Sequence, residues 1–145
     1  MPIMPTRNSP SQTGRCLIRF AAMSSAASMK SSLDDTVTGR LELFLQEHGF
    51  QVTSARGLGY EQIPEGAATQ DVLMKLGEEV YAGSNRADAL VVSCGALRTL
   101  DLIVPLEQRI AVPVVSSTPH GLMNGVRLLG VTPRVQGFGM IFARA

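Results

Sequence analysis

Two short clusters hold the residue types best suited to chemistry, and each follows an apolar run. Cys94 stands in "ALVVSCGALRTLDLIVPLEQ" (residues 89–108), behind Val91, Val92 and Ser93 and ahead of Gly95. The second cluster is "SSTPH" (residues 116–120), behind "VPVV". An apolar run that breaks at glycine and resumes with helical spacing reads as a strand-to-helix turn. Gly95 permits backbone geometries and close approaches that a side chain would block. The helix beyond it directs free N–H groups and the positive end of its dipole at the turn. Those features hold negative charge, either a thiolate or the carboxylate of a small anion. Arg98 adds to this field or points to solvent. Free cysteine is also among the most buried residue types, often a small hydrophobe and no more. Placement alone leaves both readings of Cys94 open.

The remaining candidates carry less. His120 opens a helix beside "SSTP", where an exposed first-turn histidine is favoured over an acid–base group. His48, on the apolar face of a helix end, reads as a packed or helix-capping histidine. Cys16 has no setting like that of Cys94. Asp34–Asp35 and Glu78–Glu79 read as helix-start and solvated charges, which leaves no carboxylate pair for acid–base work. The sequence has no GxGxxG, Walker, HExxH or GxSxG pattern. The chemistry that remains is a thiol acting on a small anion, with no cofactor and no metal expected.

The elements that must position these residues alternate regularly. A helix is expected over 34–49, with Val37, Leu41, Phe44, Leu45 and His48 on one face and Gly49 after its end. "FQVTSA" (residues 50–55) reads as a strand and "RGLGYEQIPEG" (residues 56–66) as a loop. Thr69 caps a helix with Val72, Leu73, Leu76 and Val80 inward. "NRAD" turns into the strand "ALVVS". Thr99 caps a helix with Ile103, Leu106 and Ile110 inward, in which Pro105 marks either the true first turn or a kink. "VPVVSS" (residues 112–117) is the next strand. Thr118 and Pro119 open a last helix with Leu122, Val126 and Leu129 inward, ended by Gly130. "GFGMIF" is expected to lie against the body. Strands that are continuous apolar runs, alternating with helices, predict an α/β fold: a three-layer arrangement with a short parallel sheet of three or four strands flanked by helices. Ligands collect at the carboxyl ends of such strands. If the two strands carrying "SCG" and "SSTP" are neighbours, both stretches face one crevice.

Composition sets the outer limits. The 145 residues suit one domain, and the apolar fraction of 45% is ample for a core. Thirteen Lys and Arg against twelve Asp and Glu give a net charge of +1, too small to attract nucleic acid. No apolar run approaches the ~20 residues of a membrane helix, so no membrane contact is expected. Two cysteines far apart, Cys16 and Cys94, predict neither a disulfide framework nor a zinc site. A reducing, cytoplasmic setting is the default. Residues 1–32 contain no Asp or Glu and are rich in Ser and Ala. They read as a disordered leader, as a transit peptide that would place the protein in mitochondria, or as a degraded first strand in "CLIRFAAM" (residues 16–23). The expected division is therefore 1–32 and 33–145.

The stretch "SCGALRTLDLIVPLEQRIAVPVVSSTPHGLMNGVRLLG" (residues 93–130) resembles the second half of the aspartate/glutamate racemase superfamily. Its Ser-Cys-Gly turn, "LRTLD" and "PVVSS-x-P" stand closest to the arylmalonate decarboxylases, with maleate isomerases as relatives that share the Leu-Arg-Thr run. "LDDTVTGRLELFLQEHGFQV" (residues 33–52) and the closing "GFGMIF" extend the likeness to residues 33–142. The resemblance implies one lobe of a two-lobed fold with the active site between lobes. It implies cofactor-independent decarboxylation of a disubstituted malonate, with an enediolate protonated by Cys94. It also implies Ser93, Gly95, Ser117 and Thr118 as residues that bind a small dicarboxylate. An isomerase or racemase of the same superfamily, and a non-catalytic carboxylate-binding remnant, are the alternatives. A full member has another lobe before residue 33, and Ser32 stands where the family strand ends in tyrosine. Weak or absent turnover from this chain alone is the expectation, together with self-association through the exposed cleft face.

Overall fold

A computed structural model describes residues 19–26, 37–60, 62–93, 97–133 and 135–143. Four strands and five helices follow one another as β1 (Arg19–Ala26), α1 (Val37–Glu47), β2 (Gln51–Tyr60), α2 (Gln70–Ala82), β3 (Ala89–Ser93), α3 (Leu100–Ile110), β4 (Val114–Ser116), α4 (Ser117–Leu128) and α5 (Met140–Ala143). The strands form one sheet in the order β2-β1-β3-β4, and every pairing is parallel. The α/β class and the short parallel sheet flanked by helices match the expectation. The run at residues 16–23 supplies most of β1, so the range 1–32 contains a central strand of the sheet. Its apolar residues and lack of acidic charge, which also suit a leader, suit a strand paired on both sides.

The core lies where α2 and α3 meet the sheet. Val80, Leu90, Val92, Leu102, Ile103, Leu106 and Val114 are fully buried. Gly77 makes the packing possible, because a Cβ there would stand 2.7 Å from a methyl of Leu106. Pro105 lies inside α3 and has no N–H for the carbonyl of Asp101 four residues back. The side-chain amide of Gln70, at the start of α2, donates to that carbonyl at 3.3 Å. The proline therefore costs a helix bond and gains a tie between helices. Thr69 caps α2, its hydroxyl accepting from the Val72 N–H.

Several expected details differ. β2 runs to Tyr60, through residues read as loop. It is an edge strand, and its register against β1 slips between Ser24–Gly57 and Ala26–Tyr60. Gly59, at φ +81°, lies in that slip and lets the strand bulge and continue. Val37 and Phe44 on α1, and Val72 on α2, are exposed. His48 is exposed and caps its helix, Nδ1 lying 2.7 Å from the Phe44 carbonyl. Leu122 on α4 and Leu129 just after it face out, and Met123 faces in. This helix carries two overlapping apolar stripes, and periodicity does not choose between them. Ile103, Leu106 and Ile110 are buried as expected.

One buried carboxylate ties the carboxyl-terminal elements together. Glu107 on α3 is 4% exposed. It accepts the Val114 N–H of β4 at 3.0 Å and the Met140 N–H of α5 at 2.8 Å. An amide in its place keeps one acceptor and turns a donor toward the other N–H. Glu107→Gln is expected to lower unfolding free energy by roughly 2 kcal/mol in urea denaturation. Glu78→Gln, which loses an exposed pairing with Arg109, should change it by less than about 0.5 kcal/mol.

Candidate active site

The two chemistry-bearing stretches end neighbouring parallel strands. β3 and β4 pair with Leu90, Val91 and Val92 opposite Val114, Val115 and Ser116. The next residues on each chain are Ser93 and Ser117, so both stretches leave the sheet at one level and one edge. On the other side of β3, Ser93 pairs with Ser24 of β1. The chain leaves β1 for β2 on one flank and then crosses to β3 on the other. β1 and β3 therefore flank the switch point, where parallel sheets open a crevice at their carboxyl ends.

Of the sequence-derived site residues, Ser93 is half-buried at the end of β3, and Ser117 and Thr118 are exposed in the first turn of α4. Cys94 and Gly95 lie outside the described residues, as does Cys16. Arg98 projects into solvent, its side chain 95% exposed, with Asp101 4.0 Å away. Leu97 and Arg98 line a cavity of about 320 Å³ with Ile63, Pro64, Gly66, Ala68 and Thr69. This mixed cavity abuts the residues that follow Cys94. A nearly all-apolar groove of about 270 Å³ lies farther along, between α4 and the chain end, with Leu100, Met123 and Phe138 among its walls. The mixed cavity has the better composition for a carboxylate with an apolar substituent. Its wall of Ile63, Pro64, Gly66, Ala68 and Thr69 lies in and just after the stretch that reads as a loop in the sequence.

Thr99 and Ser116 do unexpected work beneath this edge. Thr99 precedes α3, but its side chain makes no cap bond, and the Ser116 side chain makes none to α4. The two hydroxyls lie 2.6 Å apart and buried. The first-turn amides of Ser117 and Thr118 are thus left without a side-chain cap from Ser116, as an anion at a helix start requires.

His120 is not the exposed first-turn residue that its position in the sequence favours. It is half-buried, its ring 4.6 Å from that of Phe142. Nδ1 lies 3.0 Å from both the N–H and the carbonyl oxygen of Ser116. Nε2 is buried without a partner among the described residues. Burial pushes the His120 pKa below 6.5, against smaller upward pulls from the Ser116 backbone bond and Glu107. The ring is neutral at pH 7 and adds no cation to the site. Among the described residues no group of His, Cys, Asp or Glu could hold a metal ion, and no helix is long and apolar enough to cross a membrane.

Residues 16–142 match the sequence pattern of a known family, arylmalonate decarboxylase. Arylmalonate decarboxylase of Bordetella bronchiseptica is 38% identical over 111 residues, 74% of this chain and 46% of that protein. A crystal structure of arylmalonate decarboxylase superposes with a TM-score of 0.73 at 33% identity, covering 87% of this chain and 52% of the other. A double mutant of arylmalonate decarboxylase in liganded form gives 0.77 at 32% identity, covering 89% and 53%. The chain spans about half the length of the relatives it matches.

The histidine gives a pH prediction. Its pKa is lowered on folding, so the unfolded chain binds the extra proton first. Stability is then full above pH 6.5 and declines as pH falls below it, toward the lower folded value. Thermal melts from pH 7.5 to 5 are expected to fall more steeply for the parent than for His120→Leu. Equal slopes would contradict the assignment.

Proposed function

We infer that the chain, which belongs to the arylmalonate decarboxylase family, supplies the proton-donating half of a cofactor-independent decarboxylation of a disubstituted malonate. The observation that carries this reading is the parallel pairing of β3 with β4, which brings Ser93, Ser117 and Thr118 to one strand edge. One carboxylate of the substrate leaves as carbon dioxide, and the carbon–carbon bonding pair moves into the remaining carboxylate as an enediolate. Backbone N–H groups of Gly95 and of the first turn of α4 stabilise that developing charge. The Cys94 thiol protonates the α-carbon, and the thiolate regains its proton from solvent. Ser93, Ser117 and Thr118 supply hydroxyl contacts to the surviving carboxylate, and the cavity beside Leu97 takes the apolar substituent. The step is balanced by one proton and needs no redox partner.

Phenylmalonate in deuterated water is the test. Release of carbon dioxide and incorporation of one deuteron at the product α-carbon are expected. Cys94→Ala is expected to lower the rate by about a hundredfold or more. Retained turnover in that variant would remove the cysteine from the mechanism. No release from the parent at millimolar substrate would remove the catalytic reading and leave a carboxylate-binding lobe. Self-association is part of the same proposal. Leu122, Leu128, Leu129 and Val131, on and just after α4, are each exposed. Sedimentation is expected to show dimers that Leu128→Glu dissolves, and a monomer at high concentration would contradict this.

A further inference from the structure

A single turn of helix such as α5, Met140–Ala143, is too short to hold itself in place. Its seat is built by α3 and α4. Glu107 of α3 accepts the Met140 N–H at 2.8 Å. Gly139 allows the close approach, since a Cβ there would stand 2.5 Å from a methyl of Ile103. Phe142 is buried, its ring 4.6 Å from that of His120 on α4. Of these partners, His120 is the one whose charge changes nearest to neutral pH.

The seat has no place for a second proton on that ring. A charged imidazole carries two N–H donors. Nδ1, 3.0 Å from the Ser116 carbonyl oxygen, has an acceptor. Nε2 is buried and has none among the described residues. A buried charged donor without an acceptor is costly. The surrounding elements compensate little. β4 and α5 contain no ionisable residue, and the other charge on α4, Arg127, is exposed. On α3, Asp101 and Arg109 pair at the surface with Arg98 and Glu78. Glu107 does favour the protonated ring. Its oxygens are already engaged, Oε1 by the Val114 N–H and Oε2 by the Met140 N–H. An imidazolium that drew Glu107 to itself would take it from Met140, and α5 would lose that tie as well. The seated ring therefore resists protonation more than a released one, and proton uptake favours release.

We propose that His120 and Phe142 form a pH-operated latch, in which protonation of His120 shifts α5 from its seat toward a released state while the sheet stays folded. Phe142 also walls the apolar groove beside Leu100 and Met123. Release of α5 removes that wall and opens the groove to solvent.

The test is amide hydrogen exchange of the full chain, followed by NMR from pH 7.5 to 5 and corrected for the intrinsic pH dependence of exchange. The Met140 and Ala143 amides report on the seat, through their bonds to Glu107 and to the Gly139 carbonyl. The Leu90 amide, bonded to the Pro113 carbonyl, reports on the sheet. Protection at Met140 and Ala143 is expected to fall roughly tenfold across this range, in step with titration of the His120 ring. At each pH it should be lower than at Leu90 and insensitive to low urea, whereas Leu90 follows the urea dependence of global unfolding. His120→Leu is expected to abolish the fall. His48→Gln, which removes the other histidine, should leave it unchanged. If His120→Leu fails to fold, the match between the ring midpoint and the loss of protection still decides. Protection at Met140 and Ala143 that ignores pH would overturn the latch. So would a urea dependence equal to that of Leu90, because α5 would then leave its seat only when the whole chain unfolds.

Discussion

Parallel pairing is the constraint from which the rest of this structure follows. When β1, β3 and β4 run the same way, their carboxyl ends share one edge, and so do the turns that leave them. Ser24, Ser93 and Ser116–Ser117 reach that edge because of register, not because any of them contacts another in sequence. Each return to the opposite edge needs a helix, and those helices cover the sheet. A site assembled this way draws on short stretches far apart in the chain, each placed by the strand before it.

Polar side chains act as ties between these crossovers. Glu107 holds β4 and α5 to α3 through two backbone N–H groups. Gln70 holds α2 to α3 by satisfying the carbonyl that Pro105 strands. Ser116 joins β4, the start of α3 and the start of α4. Each replaces a bond that regular secondary structure does not supply at that point; Glu107 and Ser116 do so while buried, Gln70 at the surface. Gly139 belongs with Glu107. Its φ of +113° and the 2.5 Å between a built Cβ and the Ile103 methyl show that only glycine lets the chain end approach the carboxylate.

Much of this was legible in the amino acids, and the exceptions have physical causes. The cap at Thr69, the burial of α3 and the neighbouring places of the strands that end at Ser93 and Ser116 follow from local spacing and from parallel-sheet logic. β1 was ambiguous because a fully buried strand and a leader both avoid acidic residues. β2 looks short in the sequence because Gly57 and Gly59 resemble loop residues until a bulge uses them. On α4 the buried stripe depends on tertiary packing, which selects Met123 over Leu122 and Leu129. Thr99 has a cap residue's type and position, yet its hydroxyl turns to Ser116, a partner 17 residues on that no local rule selects. The burial of His120 is not legible locally because it depends on Phe142, 22 residues on.

The central claim is that the carboxyl ends of β3 and β4 form one carboxylate-binding edge. Titration of the isotope-labelled chain with phenylmalonate, followed by amide resonances, tests it most directly. The account predicts that the largest shifts cluster at Ser93, Ser117 and Thr118, with those of Phe50 and Gln51 at the opposite edge unmoved. Shifts confined to other surfaces, or none at millimolar ligand, would contradict it.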